Sequence, residues 1–171
     1  MKLKILKQEG FSLVELIIYI SIFAMALAVG YQLLSVVSRI RNQTEARYEV
    51  QQNIRFAVER ISEQVRKASS ISAPASGTPA NILTLMVSGQ QIDFQIVSGM
   101  LQLREGVGGQ WQNLTTDNVI VSAPGGNYIF TKIDNSPAKS TVQIKLKIDY
   151  NDLDRPDFKY GTQMQTTVSL R

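Results

Sequence analysis

Glu15 is the residue whose setting most constrains the chemistry of this chain. It opens a run from Leu16 to Val37 that contains no charged side chain. At a rise of about 1.5 Å per residue such a run makes a helix of roughly 33 Å, enough to cross a bilayer. A bare carboxylate at membrane depth costs up to about 3 kcal/mol, so Glu15 asks for a partner. Other chemistry is scarce. The 171 residues include no histidine and no cysteine, which removes Cys–His and Ser–His–Asp catalysis and the usual zinc ligands. Lysines and carboxylates remain, with no motif around them. No catalytic residue, cofactor site or metal site is therefore expected.

Three local patterns invite a functional reading and are better explained otherwise. Asp149, Asn151, Asp152, Asp154 and Asp157 crowd one loop, and oxygen ligands at that density can hold calcium. The EF-hand register fails, however: counted from Asp149 the fifth position is Leu153, and counted from Asp152 it is Pro156. A solvated acidic loop is the simpler reading. Gly106-Val-Gly-Gly109 lacks the Lys-Ser/Thr that completes a phosphate loop, so it reads as a hairpin tip before Trp111. Trp111, Tyr128 and Phe130 are lone aromatics in strand-like segments and read as core rather than as a ligand face.

Formal charge is +4, and loss of residues 1–10 would take away three lysines and one glutamate, leaving about +2. That is too mild, and too dispersed, to argue for nucleic acid. The absence of cysteine neither shows nor excludes an extracytoplasmic location. Lys2, Lys4 and Lys7 precede the apolar run while Arg39, Arg41 and Arg47 follow it, so charge alone does not orient the span.

Gly10-Phe11-Ser12-Leu13-Val14-Glu15, placed after a short lysine-bearing leader and before an apolar stretch, resembles the class III signal of type IV pilin-like proteins. The resemblance implies cleavage after Gly10 by a prepilin peptidase and N-methylation of Phe11. It also implies that Glu15 meets the N-terminal amine of a neighbouring subunit during filament assembly. Unlike a secretory signal, which is cut after its apolar core, this leader would leave the core in place as an anchor. The anchor residues are Leu16, Ile17, Ile18, Ile20, Ile22, Phe23, Leu27, Val29, Leu33 and Leu34. Gly30 with Ala24, Ala26 and Ala28 supplies small side chains that let helices approach closely, or serves as plain membrane filler. An orientation with the N-terminus inside and the C-terminal domain outside the cytoplasmic membrane, crossing once, follows from the resemblance alone.

Helical periodicity continues beyond the span. Ile54, Ala57, Val58, Ile61, Val65 and Ala68 recur at spacings of three and four, while Arg55, Glu59, Arg60, Glu63, Arg66 and Lys67 fill the other faces. Glu63 and Lys67 form a favourable i,i+4 pair. These features predict one helix from about Ser12 to Ser69, weakest over the polar stretch 39–53. Many major pilins carry proline at the twenty-second mature position; here that position is Gln32, with Gly30 two residues before it.

Ser69 to Thr78 is rich in Ser, Ala, Pro and Gly and reads as a turn or loop. Strand patterns follow over 81–87, 91–97, 100–104, 111–114, 118–121 and 128–133, with tight turns at Ser88-Gly89 and Ser98-Gly99. Thr141 to Tyr150 alternates strictly, with Val142, Ile144, Leu146 and Ile148 on one face. Thr162 to Leu170 closes the sheet. The expected organisation is leader 1–10, assembly helix 11–37, amphipathic continuation 38–69, loop 70–80 and β-rich domain 81–171. That is an α+β class with a long N-terminal helix on an antiparallel sheet.

Arg55-Phe-Ala-Val-Glu-Arg-Ile-Ser-Glu-Gln-Val-Arg-Lys-Ala-Ser-Ser-Ile71, the hairpin after it and the terminal Thr-Thr-Val-Ser-Leu-Arg171 resemble PilW-type minor pilins and J-type minor pseudopilins. Gln64 stands there in place of the usual acidic residue. The resemblance implies a non-enzymatic filament subunit serving pilus biogenesis, type II secretion or DNA uptake. Its partners would be the peptidase, other pilin or pseudopilin subunits, an inner-membrane assembly platform and the bilayer. The alternative is a signal-anchored extracytoplasmic binding module that never polymerises.

Overall fold

The computed structural model describes residues 12–134, 139–152 and 158–171. A long α-helix, α1, runs Leu13–Lys67. The chain divides within it into two compact units, residues 1–41 and 42–171. The break falls inside the polar stretch expected to be weak, yet the backbone stays helical across it. No proline interrupts the stretch, and from Ala46 onward the helix has its own packing.

In the second unit, α1 buries Ala46, Val50, Asn53, Ile54, Ala57, Ile61, Gln64 and Val65. The expected stripe is present except that Val58 is only half-buried, and it begins two turns earlier than the apolar pattern suggests. Two antiparallel sheets complete the unit. The first contains β1 (Ser70–Ala73), β3 (Ile82–Val87), β4 (Gln90–Val97), β5 (Met100–Glu105) and β6 (Trp111–Asn113), in that spatial order. The second is built on β9 (Thr141–Tyr150), with β10 (Gly161–Ser169) along one edge. The other edge of β9 is shared by β8 (Phe130–Ile133) and β7 (Val119–Ser122), and β8 in turn pairs β2 (Pro79–Ala80). Segment 70–80, expected as a loop, thus carries two short strands. Their pairing partners are distant in sequence and their residues are turn formers, so composition hides them.

Side-chain alternation explains the core. Val142, Ile144, Leu146 and Ile148 on β9 are all fully buried, and they meet Leu83, Leu85, Phe94, Leu101 and the α1 stripe in one hydrophobic cluster. Phe130 joins it as expected, whereas Tyr128 is exposed and Trp111 lies outside it. The Ser88-Gly89 and Ser98-Gly99 turns have positive φ at both residues (51° and 81°, 52° and 76°), the twist that suits a two-residue hairpin. At Gly99 a Cβ would also stand 3.0 Å from Ile120 Cγ2, so the close approach of β7 to this turn needs glycine. Two main-chain bonds tie the strands there: Val121 N–H donates to the Gly99 carbonyl (2.7 Å) and Leu114 N–H to the Leu101 carbonyl (2.8 Å).

The opposite face of the first sheet carries a polar ladder. Thr84, Asp93, Arg104 and Trp111 sit directly across from one another on β3, β4, β5 and β6. Asp93 is 2% exposed. It accepts from Arg104 Nη2 (2.6 Å) and Nε (3.0 Å), from Thr84 Oγ1 (2.8 Å) and from Gln91 Nε2, while the Arg104 guanidinium lies 4.6 Å from the Trp111 ring centre. Burial pushes the Asp93 carboxyl up, but these hydrogen bonds and the arginine charge outweigh it and hold the group below its ordinary value of 3.8. A depressed carboxyl contributes its stability above the unfolded value and loses it as pH falls through the folded one. Replacing Asp93 by alanine is expected to cost about 3 kcal/mol at neutral pH, because Arg104 loses its counter-charge under partial burial. Denaturant titrations at pH 7 and pH 3 should show that cost shrinking in acid; an equal cost at both would refute the assignment.

Candidate assembly helix

Sequence dictates an unusual surface for the first unit. A soluble helix keeps one apolar stripe; here apolar side chains point in every direction. The ten expected anchor residues, Leu16 through Leu34, are each 52–69% exposed. Mean hydropathy reaches 2.3 over the most apolar 18-residue window, none of which is buried. Among the described residues one helix is therefore long and apolar enough to cross a membrane, and it fits membrane anchoring. Beyond the helix's own neighbouring backbone, nothing among the described residues comes within 4 Å of where a Cβ on Gly30 would stand, so their packing does not require a small residue there.

Glu15 lies in the first turn of α1, where the helix dipole favours negative charge. Tyr19, one turn on, donates its hydroxyl to Glu15 Oε1 at 3.2 Å. The hydroxyls of Ser21 and Ser35 behave differently and donate to backbone carbonyls four residues back, those of Ile17 (2.7 Å) and Tyr31 (3.1 Å). Tyr19 also lines a shallow hollow of about 530 Å³ with Ile20, Ile22, Phe23 and Ala26. The Glu15–Tyr19 contact was readable in principle, since i and i+4 share a helix face, but tyrosine among aliphatic residues looks like simple apolar bulk. Gly10 and Phe11 lie outside the described residues.

The comparison that bears on this segment is local. Residues 5–31 match the prokaryotic N-terminal methylation motif. No curated protein and no solved structure matches the chain. The methylation motif supports a type IV pilin-like protein, and the helix on antiparallel sheets is the corresponding α+β layout. It implies processing by a prepilin peptidase and pilin-type assembly. Proteins with this motif are structural rather than catalytic.

The second unit's polar groups serve its architecture. Asn53, buried on α1, donates to Thr116 Oγ1 (3.3 Å) and accepts from the Thr116 N–H (3.1 Å), and Glu49 accepts from Asn118 Nδ2 (3.0 Å). These contacts pin the 114–118 loop to the helix. In the described part of the acidic loop, Asn151 Nδ2 donates to the Asp117 carbonyl (2.9 Å) and Asp149 pairs with Lys147 (2.7 Å), while Asp152 is half-buried. Asp154 and Asp157 lie outside the described residues. An open groove of about 1320 Å³ is lined by Glu59, Glu63, Arg66, Val87, Val168 and Arg171 among others. Its Glu63 is held below the ordinary carboxylate value by the hydrogen bond and charge of Lys67, against slight desolvation, with a smaller contribution from Arg60. A carboxylate kept ionised in this way is poorly suited to act as a general acid.

Proposed function

We propose that the chain is a minor pilin or pseudopilin: a non-enzymatic subunit cut after Gly10, anchored by residues 11–37 and assembled into, or priming, a type IV pilus-like filament. The observation that carries this reading is the methylation motif joined to a helix whose most apolar window the described residues leave bare. Such a helix needs lipid before assembly and neighbouring helices after it. The Phe11 amine freed by cleavage would be cationic, since an α-amine ordinarily titrates near 8. Glu15 on a neighbouring helix then neutralises it where each charge alone is expensive. The PilW-like and J-like features of 55–71 favour a minor subunit over an abundant fibre subunit. The β-rich unit would stand on the outer side of the cytoplasmic membrane and offer the lateral contacts.

Processing is tested by intact mass and N-terminal residue, with and without an active prepilin peptidase. The reading expects peptidase-dependent loss of Met1–Gly10, with Phe11 as the new and methylated end. An uncut chain beside an active peptidase would overturn it and favour an anchored binding module.

A further inference from the structure

Tyr19 is an odd residue for its place. Its phenol lies one turn inside the apolar run, and in lipid a hydroxyl left unpaired there is costly. The structure pairs it with a polar side chain one turn back on the same face, the Glu15 carboxylate, at 3.2 Å. Helical side chains lean toward the N-terminus, so a long side chain at i+4 naturally reaches back over residue i. The contact therefore comes from the spacing of the two residues on one helix and needs no partner chain.

A carboxylate offers about four acceptor positions on its two oxygens, and one tyrosine hydroxyl occupies a single one. Capacity for an incoming amine remains. What the tyrosine removes is freedom: a glutamate on a helix surface has several rotamers, and a bond to Oε1 selects those lying along the helix toward Tyr19. We propose that Tyr19 is a positioning residue for Glu15, holding the carboxylate in one orientation while the subunit waits in lipid and presenting its remaining lone pairs to the neighbour's N-terminal amine. The proposal rests on the reading of Glu15 as the acceptor in assembly. It adds that the acceptor is organised in advance by its own helix, which lowers the ordering cost of the encounter.

Tyr19→Phe removes the hydroxyl and keeps the ring, so the apolar lining it shares with Phe23 and Ala26 is preserved. The full chain carrying this change is expected to be cut and inserted normally and to reach sheared filaments about five- to ten-fold less than wild type, the size of one ordinary hydrogen bond. The contact itself is read by solid-state NMR of the full chain in lipid bilayers, with tyrosine ring carbons labelled. The resonance that disappears in Tyr19→Phe should move in Glu15→Ala, a response that ring packing alone would not give. Wild-type incorporation of Tyr19→Phe, or an unmoved resonance in Glu15→Ala, would overturn the proposal. Absence of the wild-type chain itself from filaments is a separate failure: it would sink the assembly reading, and the positioning role with it.

Discussion

Glu15→Ala is expected to be cut after Gly10 and inserted in the membrane as wild type is, yet to reach filaments at about one-hundredth of the wild-type level or less. Insertion should not suffer, because the substitution deletes the acidic group at the head of an otherwise uncharged run. Assembly should suffer heavily. Removing one member of a desolvated ion pair costs about 3–5 kcal/mol, since the other charge is left buried and unmatched, and that range corresponds to losses of roughly 10²-fold to several thousand-fold. Tyr19 cannot substitute, because a neutral phenol offers an amine no counter-charge. Immunoblots of the membrane fraction and of sheared filaments from one culture separate the two effects. Equal incorporation of Glu15→Ala and wild type would show that the carboxylate is incidental to assembly.

The second large effect is expected in the globular unit. Phe94 on β4 is fully buried between Leu83 and Leu103, its partners across β3 and β5, and belongs to the cluster that includes the α1 stripe. Phe94→Ala deletes the ring at the point where sheet and helix share one core. The cost is about 3–5 kcal/mol, a large part of the 5–15 kcal/mol that holds a typical domain together. For a unit of this size the midpoint of thermal unfolding should fall by about 10–20 °C, measured by circular dichroism of the detergent-solubilised chain. The helical signal of the first unit should be spared, because none of its most apolar window is buried in the core. A fall of only a few degrees would mean that the site relaxes to fill the cavity.

Legibility in the sequence tracked the range of the interactions involved. The apolar run, the i,i+3,i+4 stripe from Ile54 to Val65 and the alternation along β9 depend on neighbours within a few residues, and each is read directly from residue type. The hairpins around Ser88-Gly89 and Ser98-Gly99 are legible for the same reason, since each turn's conformation is local. Long-range features were not. Asn53 looks like one polar residue in a polar stretch until the fold brings Thr116, 63 positions away, to its amide. Asp93 reads as an outward carboxylate on an alternating strand. Only the register that sets Thr84 and Arg104 on either side of it makes burial tolerable. β2 was hidden because two residues, one of them proline, form a strand only where β8 supplies an edge. At the candidate site, the motif around Glu15 was legible from residue identity and spacing, while the partner hydroxyl of Tyr19 required a helix with defined side-chain directions.

The most direct test of the account is the composition of filaments sheared from cells making the chain at its natural level, determined by quantitative mass spectrometry with N-terminal assignment. The account predicts the mature chain beginning at methylated Phe11, present at a small fraction of the principal subunit and lost when the prepilin peptidase is inactive. Filaments that form normally and contain none of the chain, while it accumulates in the membrane, would contradict it.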